Sequence, residues 1–160
     1  MLIDNCASCS PNVDMKFDIP TFSIQIVALQ DIEAGQQLFN CYCGIYQSAK
    51  ERQRQLLTTY NFACQCQACV NTTPESDKLR EEMKDRIEKL TEEAKKVFAN
   101  PQFNLRSLDP WLVLEKEIVK EGLDFGVHFV LLLFDIYRAY GKLRNIPKQR
   151  EYANKCQKLK

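Results

Sequence analysis

Three cysteines within six residues constrain this chain more than any other feature of its sequence. Cys64, Cys66 and Cys69 lie close enough for their thiols to reach one ion, whereas a disulfide between any two leaves the third over. Zinc takes four ligands in a tetrahedron and binds thiolate sulfur at about 2.3 Å. The triplet therefore predicts a zinc site with a fourth ligand elsewhere in the chain, or with an open catalytic position.

Spacing alone leaves the fourth ligand open. The candidates are the other cysteines and the one histidine: Cys6, Cys9, Cys41, Cys43, Cys156 and His128. His128 lies in an apolar stretch where a histidine is usually packed in the core, and Cys156 is predicted to be a packed thiol. Cys9 precedes a turn-forming Ser-Pro-Asn run, while Cys41 and Cys43 end a predicted strand and face alternate sides. These residues favour Cys9 and Cys43 equally.

A secreted disulfide scaffold is the alternative interpretation of eight cysteines. Such scaffolds are usually short and poor in long helices, whereas the sequence after residue 72 is patterned as helix and holds only Cys156. The first six residues lack the basic start and apolar core of a secretory signal. The longest apolar run, residues 129–134, is far below the roughly 20 residues of a membrane span. We therefore expect metal ligation in an intracellular protein of the cytoplasm or nucleus.

The overall charge excludes some partners. Lysines and arginines exceed acidic residues by one, giving a formal net charge of +1. This balance gives no reason to expect nucleic acid or an anionic membrane as the main partner. A thiol-based metal buffer or redox protein is a further class, but the cysteines are few for it and the chain is well patterned for helices.

The first 45 residues are predicted to form strands and turns. Apolar and polar residues alternate over 13–17 and again over 22–28, which predicts a β-hairpin with one buried face. A turn at 31–35 leads to a predicted short strand, Leu38 to Tyr42. Ser48 and Glu51 have the spacing of a capping box at the start of a helix that runs to about Thr58.

The residues after Pro74 are predicted to be helical. Apolar residues recur every three or four positions from Ser76 to Phe98. Asp109-Pro110 predicts the start of a second helix, which runs towards Gly122. A strongly apolar helix follows over about 125–140, and Pro147 opens another. The predicted fold class is α+β: a small β-rich segment, a zinc-bound loop and an α-helical tail.

These segments in order resemble a known family. Ser8 to Asn12 is similar to the end of the Asn-His-Ser-Cys-x-Pro-Asn motif of SET domains. Residues 31–38, leading to Asn40-Cys41-Tyr42, resemble the turn and active-site strand that follow. Residues 52–57 and 60–69 resemble the post-SET segment. The pattern is that of the SET-and-MYND (SMYD) protein-lysine methyltransferases, in particular their tetratricopeptide-containing branch.

The resemblance implies a set of site residues. It makes Cys9 the ligand that joins Cys64, Cys66 and Cys69 on zinc. It makes Tyr42 the active-site tyrosine, Tyr60 a wall of the lysine channel and Phe62 a residue near the adenine of S-adenosylmethionine. The reaction implied is transfer of a methyl group from S-adenosylmethionine to a lysine of a histone or another protein.

Two features depart from the family pattern. The Asn-His pair that contacts the cofactor is replaced by Cys6 and Ala7, and neither side chain offers an amide or a ring. The Gly-rich cofactor loop, the first SET sheet and the MYND module would precede this segment. We therefore expect a chain that is not active alone, with apolar surface exposed over residues 1–45.

The predicted organisation has three parts. They are the C-terminal half of a SET domain (1–60), the post-SET zinc loop (61–72) and an α-helical region like tetratricopeptide hairpins (73–160). The alternative function is a catalytically inactive, zinc-stabilised interaction module whose helical tail binds a peptide.

Overall fold

The protein folds into two compact units. A computed structural model describes residues 7–159. One unit ends at Glu81, and the other begins at Glu82. The longest helix crosses this boundary, so its first residues belong to the unit with the cysteine triplet. Cys6 lies outside the described residues.

Two antiparallel strands form the hairpin that the alternating pattern predicts. β1 spans Val13–Asp18 and β2 spans Ser23–Ala28. Met15 lies opposite Ile26, and Phe17 lies opposite Ile24, so the apolar side chains share one face. The prediction that this face is buried is wrong for most of its length: only Val13 is buried, while Phe17 is 56% exposed and Ile24 is 62% exposed. A two-stranded sheet offers no second layer to cover its own apolar face.

The predicted strand from Leu38 to Tyr42 is not formed. This segment makes a single parallel bridge, between Asn40 and Ala7, and is otherwise irregular. Its backbone bonds to the turn after Cys9 instead: the N–H groups of Asn12 and Val13 both donate to the Phe39 carbonyl at 3.1 Å. These bonds satisfy the backbone without a neighbouring strand, so no ladder develops.

Two helices surround the triplet. α1 spans Ala49–Tyr60 and ends at Asn61, which takes the left-handed conformation that stops a helix. α2 is a short helix, Gln67–Val70. Ser48 is the N-cap residue of α1, but the predicted capping box is not formed because the Ser48 side chain makes no capping bond and Glu51 pairs with Arg54.

The second unit is built from helices. α3 spans Pro74–Ala99, a 3₁₀ turn covers Leu105–Leu108, and α4, α5 and α6 span Asp109–Lys120, Gly126–Lys142 and Ile146–Lys158. The apolar periodicity predicted these helices to within a few residues. Their core consists of fully buried side chains: Met83, Ile87, Leu108, Trp111, Leu114, Ile118, Leu123, Leu132, Leu133 and Ile136. None of the helices in residues 7–159 has the length and hydrophobicity needed to cross a bilayer.

One acidic side chain links two helices of this unit. Glu115 on α4 is buried, accepts a hydrogen bond from the Tyr152 hydroxyl and pairs with Lys155 at 2.8 Å, both on α6. The charge of Glu115 is therefore neutralised where it is buried.

Neighbouring residues of α4 provide a test of this core. Leu114 is 1% exposed, whereas Val113 is 50% exposed. We expect Leu114→Ala to lower the free energy of unfolding by about 2–5 kcal/mol, because it leaves a cavity. Val113→Ala should change it by less than about 0.5 kcal/mol. Urea unfolding followed by fluorescence of Trp111, the single tryptophan of the chain, measures both. Equal losses of unfolding free energy in the two variants would show that Leu114 is not on the buried face of α4.

Candidate metal centre

Four cysteine sulfurs converge in the first unit. The Sγ atoms of Cys9, Cys64, Cys66 and Cys69 all lie within 4.8 Å of one another, and we call this group the four-sulfur cluster. Cys9 Sγ is 3.5 Å from Cys69 Sγ, and the Cys9 backbone N–H donates to Cys66 Sγ at 3.4 Å. The structure thus brings together the residues that the family resemblance names, from positions 55 or more apart in sequence.

Among the described residues, the other candidate ligands lie outside the four-sulfur cluster. Cys43 Sγ is 3.7 Å from Cys9 Sγ, and Cys41 Sγ is 3.9 Å from Cys43 Sγ. His128 and Cys156 are on helices α5 and α6 of the other unit, and His128 Nε2 lies 3.9 Å from a Glu88 carboxylate oxygen.

Asn12 holds the segment that carries Cys9. Its side-chain nitrogen donates to the Gln37 carbonyl at 2.9 Å, and its side-chain oxygen accepts from the Phe39 N–H at 2.7 Å. The Ser8 N–H adds a bond to the Asn40 carbonyl at 3.0 Å. Because both flanks of Cys9 are bonded to the same segment, its thiol has a fixed direction. This is the role that the Ser-Pro-Asn turn predicted.

The triplet is held by a side chain of α1. Gln53 accepts from the Cys64 N–H at 2.9 Å and donates to the Cys64 carbonyl at 2.7 Å. One amide side chain thereby satisfies both backbone groups of the loop residue. Cys66 then caps α2, and the Cys69 N–H donates to the Cys66 carbonyl at 2.9 Å. The short helix therefore turns Cys69 back towards Cys66.

Proximity shifts the pKa values of Cys9, Cys66 and Cys69 in different directions. Hydrogen bonds from the thiols of Cys69 and Cys9 lower the pKa of Cys66. The pKa of Cys69 is raised, first by its bond to Cys66, and that of Cys9 is raised, first by its bond to Cys43. The neighbouring S–H groups thus favour ionisation at Cys66 over ionisation at Cys9 or Cys69. Ionisation of all four requires a positive charge among them.

Two arginines that sequence reasoning did not assign lie against the four-sulfur cluster. Arg52 and Arg80 are both 0% exposed. Arg52 donates to the carbonyls of Gln47 and Ala68, the latter at 3.1 Å, and its Nη2 lies 4.0 Å from Cys69 Sγ. Arg80 donates to the Cys9 carbonyl at 3.0 Å. Both guanidinium groups therefore hold backbone that carries the sulfurs.

Arg52 is electrostatically coupled to the sulfurs. Burial alone would lower the pKa of Arg52, but the electrostatic interaction with Cys9 and the hydrogen bond to Cys69 outweigh burial and raise that pKa. Burying a cation is costly unless an anion lies beside it. An ionised sulfur of the four-sulfur cluster supplies that anion.

The start of α3 also belongs to the site. The Asp77 carboxylate accepts from the Ala49 N–H at 2.7 Å at the first turn of α1. A carboxylate there satisfies a free N–H group and complements the positive end of the helix dipole. Asp77 and Arg80 lie in the predicted helical region that begins at residue 73. The boundary between that region and the zinc loop stays a prediction.

Three aromatic side chains contact one another, and two of them, Tyr42 and Phe62, pack against buried cysteines of the four-sulfur cluster. The ring centroids of Tyr42 and Tyr60 are 5.4 Å apart, and those of Tyr60 and Phe62 are 6.4 Å apart. Tyr42 and Phe62 pack against the cluster formed by Cys9, Leu56 and Cys64. We call these three rings the aromatic wall. The structure thus groups the residues predicted for catalysis, channel and cofactor, while their roles stay predictions.

The predicted cofactor positions at the motif offer little to a ligand. Ala7 is half-buried, its backbone forms the bridge with Asn40, and its methyl side chain has no hydrogen-bonding group. Its partner in the motif, Cys6, is outside the described residues.

Comparison with known proteins supports the family resemblance. The family model described as SET domain matches residues 5–43. The chain is 31% identical over 134 residues to the histone-lysine N-methyltransferase set5 of Schizosaccharomyces pombe, a match that covers 81% of the chain and 40% of that protein.

Shorter matches include SMYD proteins. The chain is 35% identical over 72 residues to human histone-lysine N-methyltransferase SMYD3, covering 45% of the chain and 16% of that protein. It is 42% identical over 72 residues to SET domain and MYND-type zinc finger protein 6 of Schizosaccharomyces pombe, covering 44% of the chain and 14% of that protein. The chain thus spans two fifths or less of these relatives. Together, the matches support a protein-lysine methyltransferase family, and the tetratricopeptide branch stays a prediction.

Two arginines of α1 provide a matched test of the electrostatics. Arg52→Leu leaves the carbonyls of Gln47 and Ala68 without their charged donor, and we expect it to lower the free energy of unfolding by about 3 kcal/mol. Arg54→Leu removes an exposed arginine paired with Glu51, and should cost less than about 1 kcal/mol. Denaturant unfolding followed by far-ultraviolet circular dichroism compares them. Similar losses would mean that the buried guanidinium contributes no more than a surface ion pair.

Proposed function

We propose that the four-sulfur cluster binds one structural zinc ion, and that the chain is the C-terminal part of a SET-type protein-lysine N-methyltransferase of the cytoplasm or nucleus. The observation that carries the proposal is the convergence of Cys9 with Cys64, Cys66 and Cys69. The zinc ion is the element on which the other assignments depend.

The donor set fits zinc in ligand type and number. Four thiolates complete a tetrahedral shell with no position left for water, which is the arrangement of structural rather than catalytic zinc. The Cys9 N–H that donates to Cys66 Sγ orients a ligand from outside the shell. No open position is needed, so the zinc holds structure and takes no part in the chemistry.

The charge of the surroundings fits as well. Four thiolates around a divalent cation leave two net negative charges, which is costly to bury without compensation. Arg52 and Arg80 bring two positive charges to the same place. The zinc centre and the two guanidinium groups together are neutral.

Zinc binding would fix the aromatic wall. Tyr60 and Phe62 precede Cys64 by four and two residues, whereas Tyr42 lies on the segment that is bonded to the Cys9 turn. A metal that joins Cys9 to Cys64 therefore joins the two chain segments that carry the rings. Because the site forms only in the folded chain, its binding free energy adds to the stability of this wall.

The aromatic wall suits a lysine channel. S-adenosylmethionine, when bound, supplies the methyl group. A lysine side chain that passes between aromatic rings loses water, which lowers its pKa and favours the neutral amine that can accept a methyl group. We propose that Tyr60 lines this path, that Phe62 packs near the adenine, and that Tyr42 orients the amine through its hydroxyl. The substrate would be a lysine of a histone or another protein.

Ala7 weakens the enzyme proposal. Its side chain supplies none of the polar contacts that the family motif gives to the cofactor, so the described residues provide the aromatic part of the cofactor site and little of the polar part. The same observation favours a second function, a zinc-stabilised interaction module without catalysis.

A face of α5 supports the second function. Val127, Leu131 and Phe134 are spaced four and three residues apart on this helix, and all three are exposed. Apolar residues at this spacing form the kind of stripe that receives an amphipathic peptide helix. Under this alternative, the helical tail binds a peptide partner while the zinc centre only stabilises the fold.

Zinc content of the purified chain tests the first part of the proposal. We expect about one zinc per chain by elemental mass spectrometry under reducing conditions, with loss in Cys9→Ser and Cys66→Ser because three thiolates hold the ion less well. Cys43→Ser is the matched control and should keep its zinc. Retention by Cys9→Ser together with loss by Cys43→Ser would make Cys43 the fourth ligand. A metal-free wild-type protein would end the proposal.

Titration calorimetry with S-adenosylmethionine separates the two functions. We expect binding by the natural protein with any residues that precede Met1, and weak or no binding by this chain alone. In the longer protein Tyr42→Phe should lower kcat by about 100-fold, as expected for a lost positioned hydroxyl. Tyr46→Phe, four residues away, should leave kcat unchanged. Absence of cofactor binding by the longer protein would favour the interaction module.

A further inference from the structure

Cys43 places a fifth sulfur against the four-sulfur cluster. Its Sγ lies 3.7 Å from Cys9 Sγ, which is van der Waals contact between sulfurs. Cys41 Sγ lies 3.9 Å from Cys43 Sγ and donates to the Cys43 carbonyl at 3.1 Å. The zinc centre as proposed uses neither Cys41 nor Cys43, so two thiols beside it have no assigned role.

The two sulfurs in contact differ in their access to solvent. Cys9 is 1% exposed, whereas Cys43 is only partly buried. Of these two sulfurs, a small solute therefore meets Cys43 first. Cys43 is the one thiol outside the four-sulfur cluster that the described contacts place against a member of it.

The backbone around Cys43 permits the sulfurs to approach. Residues 41–47 form no helix or strand, and Gly44 follows directly. A disulfide needs its sulfurs at about 2.05 Å, so the pair must close by less than 2 Å. An irregular segment absorbs such a shift through several backbone dihedrals, whereas a helix would lose hydrogen bonds.

We propose that Cys43 is an oxidative modification site, at which hydrogen peroxide drives formation of a Cys43–Cys9 disulfide that takes Cys9 away from the zinc. The inference rests on the zinc site of the proposed function. Its chemical partner is a small peroxide, because only a compact oxidant reaches a half-buried thiol.

The reaction proceeds in two balanced steps. The Cys43 sulfur attacks one peroxide oxygen, the O–O bond breaks, and the leaving hydroxide takes the Cys43 thiol proton, which gives a sulfenic acid and one water. The zinc-bound Cys9 thiolate then attacks the Cys43 sulfur, the Zn–S and S–O bonds break, and the departing hydroxide takes a proton from solvent to form a second water. One thiol and one zinc-bound thiolate are oxidised to one disulfide, and one peroxide is reduced to two waters.

Loss of Cys9 would undo the clamp between the two chain segments. Zinc would retain only Cys64, Cys66 and Cys69, which share one loop, and water would enter the fourth position. The segment with Tyr42 would no longer be tied to the loop with Phe62. Oxidation would thus release zinc and loosen the aromatic wall, and a thiol reductant would restore both.

Peroxide-driven zinc release from the loaded chain tests this inference. The zinc content is measured first, so a failure of the zinc site itself is seen before any oxidant is added. After addition of hydrogen peroxide, a colorimetric chelator follows the metal. We expect release to be about tenfold slower in Cys43→Ser than in the wild type, because the sulfur that forms the proposed sulfenic acid is missing. Cys156→Ser, a change in the other unit, should release zinc at the wild-type rate.

Peptide mapping by mass spectrometry identifies the bond. We expect a Cys9–Cys43 disulfide that disappears on reduction. Equal release rates in the wild type and Cys43→Ser would overturn the inference, as would a bond between Cys41 and Cys43 or one within the triplet. Cys41→Ser should release zinc at the wild-type rate, and a rate as slow as that of Cys43→Ser would assign the reaction to Cys41 instead.

Discussion

The first unit is organised around four sulfurs that lie within 4.8 Å of one another. Thiols at this distance cannot all ionise unless cations neutralise the charge. Buried Arg52 and Arg80 donate to the backbone of the segments that carry the sulfurs. Arg80 comes from the start of α3, and so does Asp77, which completes the first turn of α1. Contacts around this one centre thus join three separate parts of the chain.

This arrangement explains how a small unit with few strands holds its aromatic side chains in place. The hairpin exposes most of its apolar face, so the packing around Cys9, Leu56 and Cys64 is the main buried cluster next to the aromatic wall. The proposed zinc would tie the loop that carries Cys64 to Cys9, and the order of the rings would depend on that link. Any thiol chemistry that reaches Cys9 would therefore also act on the surface that we assign to substrate.

The predictions that the structure bears out depend on short-range signals. Period-three and period-four apolar residues specify α3 to α6, and alternation specifies β1 and β2, because each pattern is set by neighbours in sequence. The prediction of a strand from Leu38 to Tyr42 was wrong, because an apolar run forms a strand only beside a partner strand. Here the backbone of this segment is hydrogen-bonded to the turn after Cys9 instead. Arg52, Arg80 and Gln53 were not assigned roles. Polar residues on a helix give no sign of burial when their partners lie on a distant segment.

The zinc K-edge X-ray absorption spectrum of the purified chain shows directly which atoms bind the ion. We expect a single shell of four sulfurs at about 2.3 Å. A shell that contains nitrogen or oxygen ligands, or a preparation that holds no zinc under reducing conditions, would contradict this expectation.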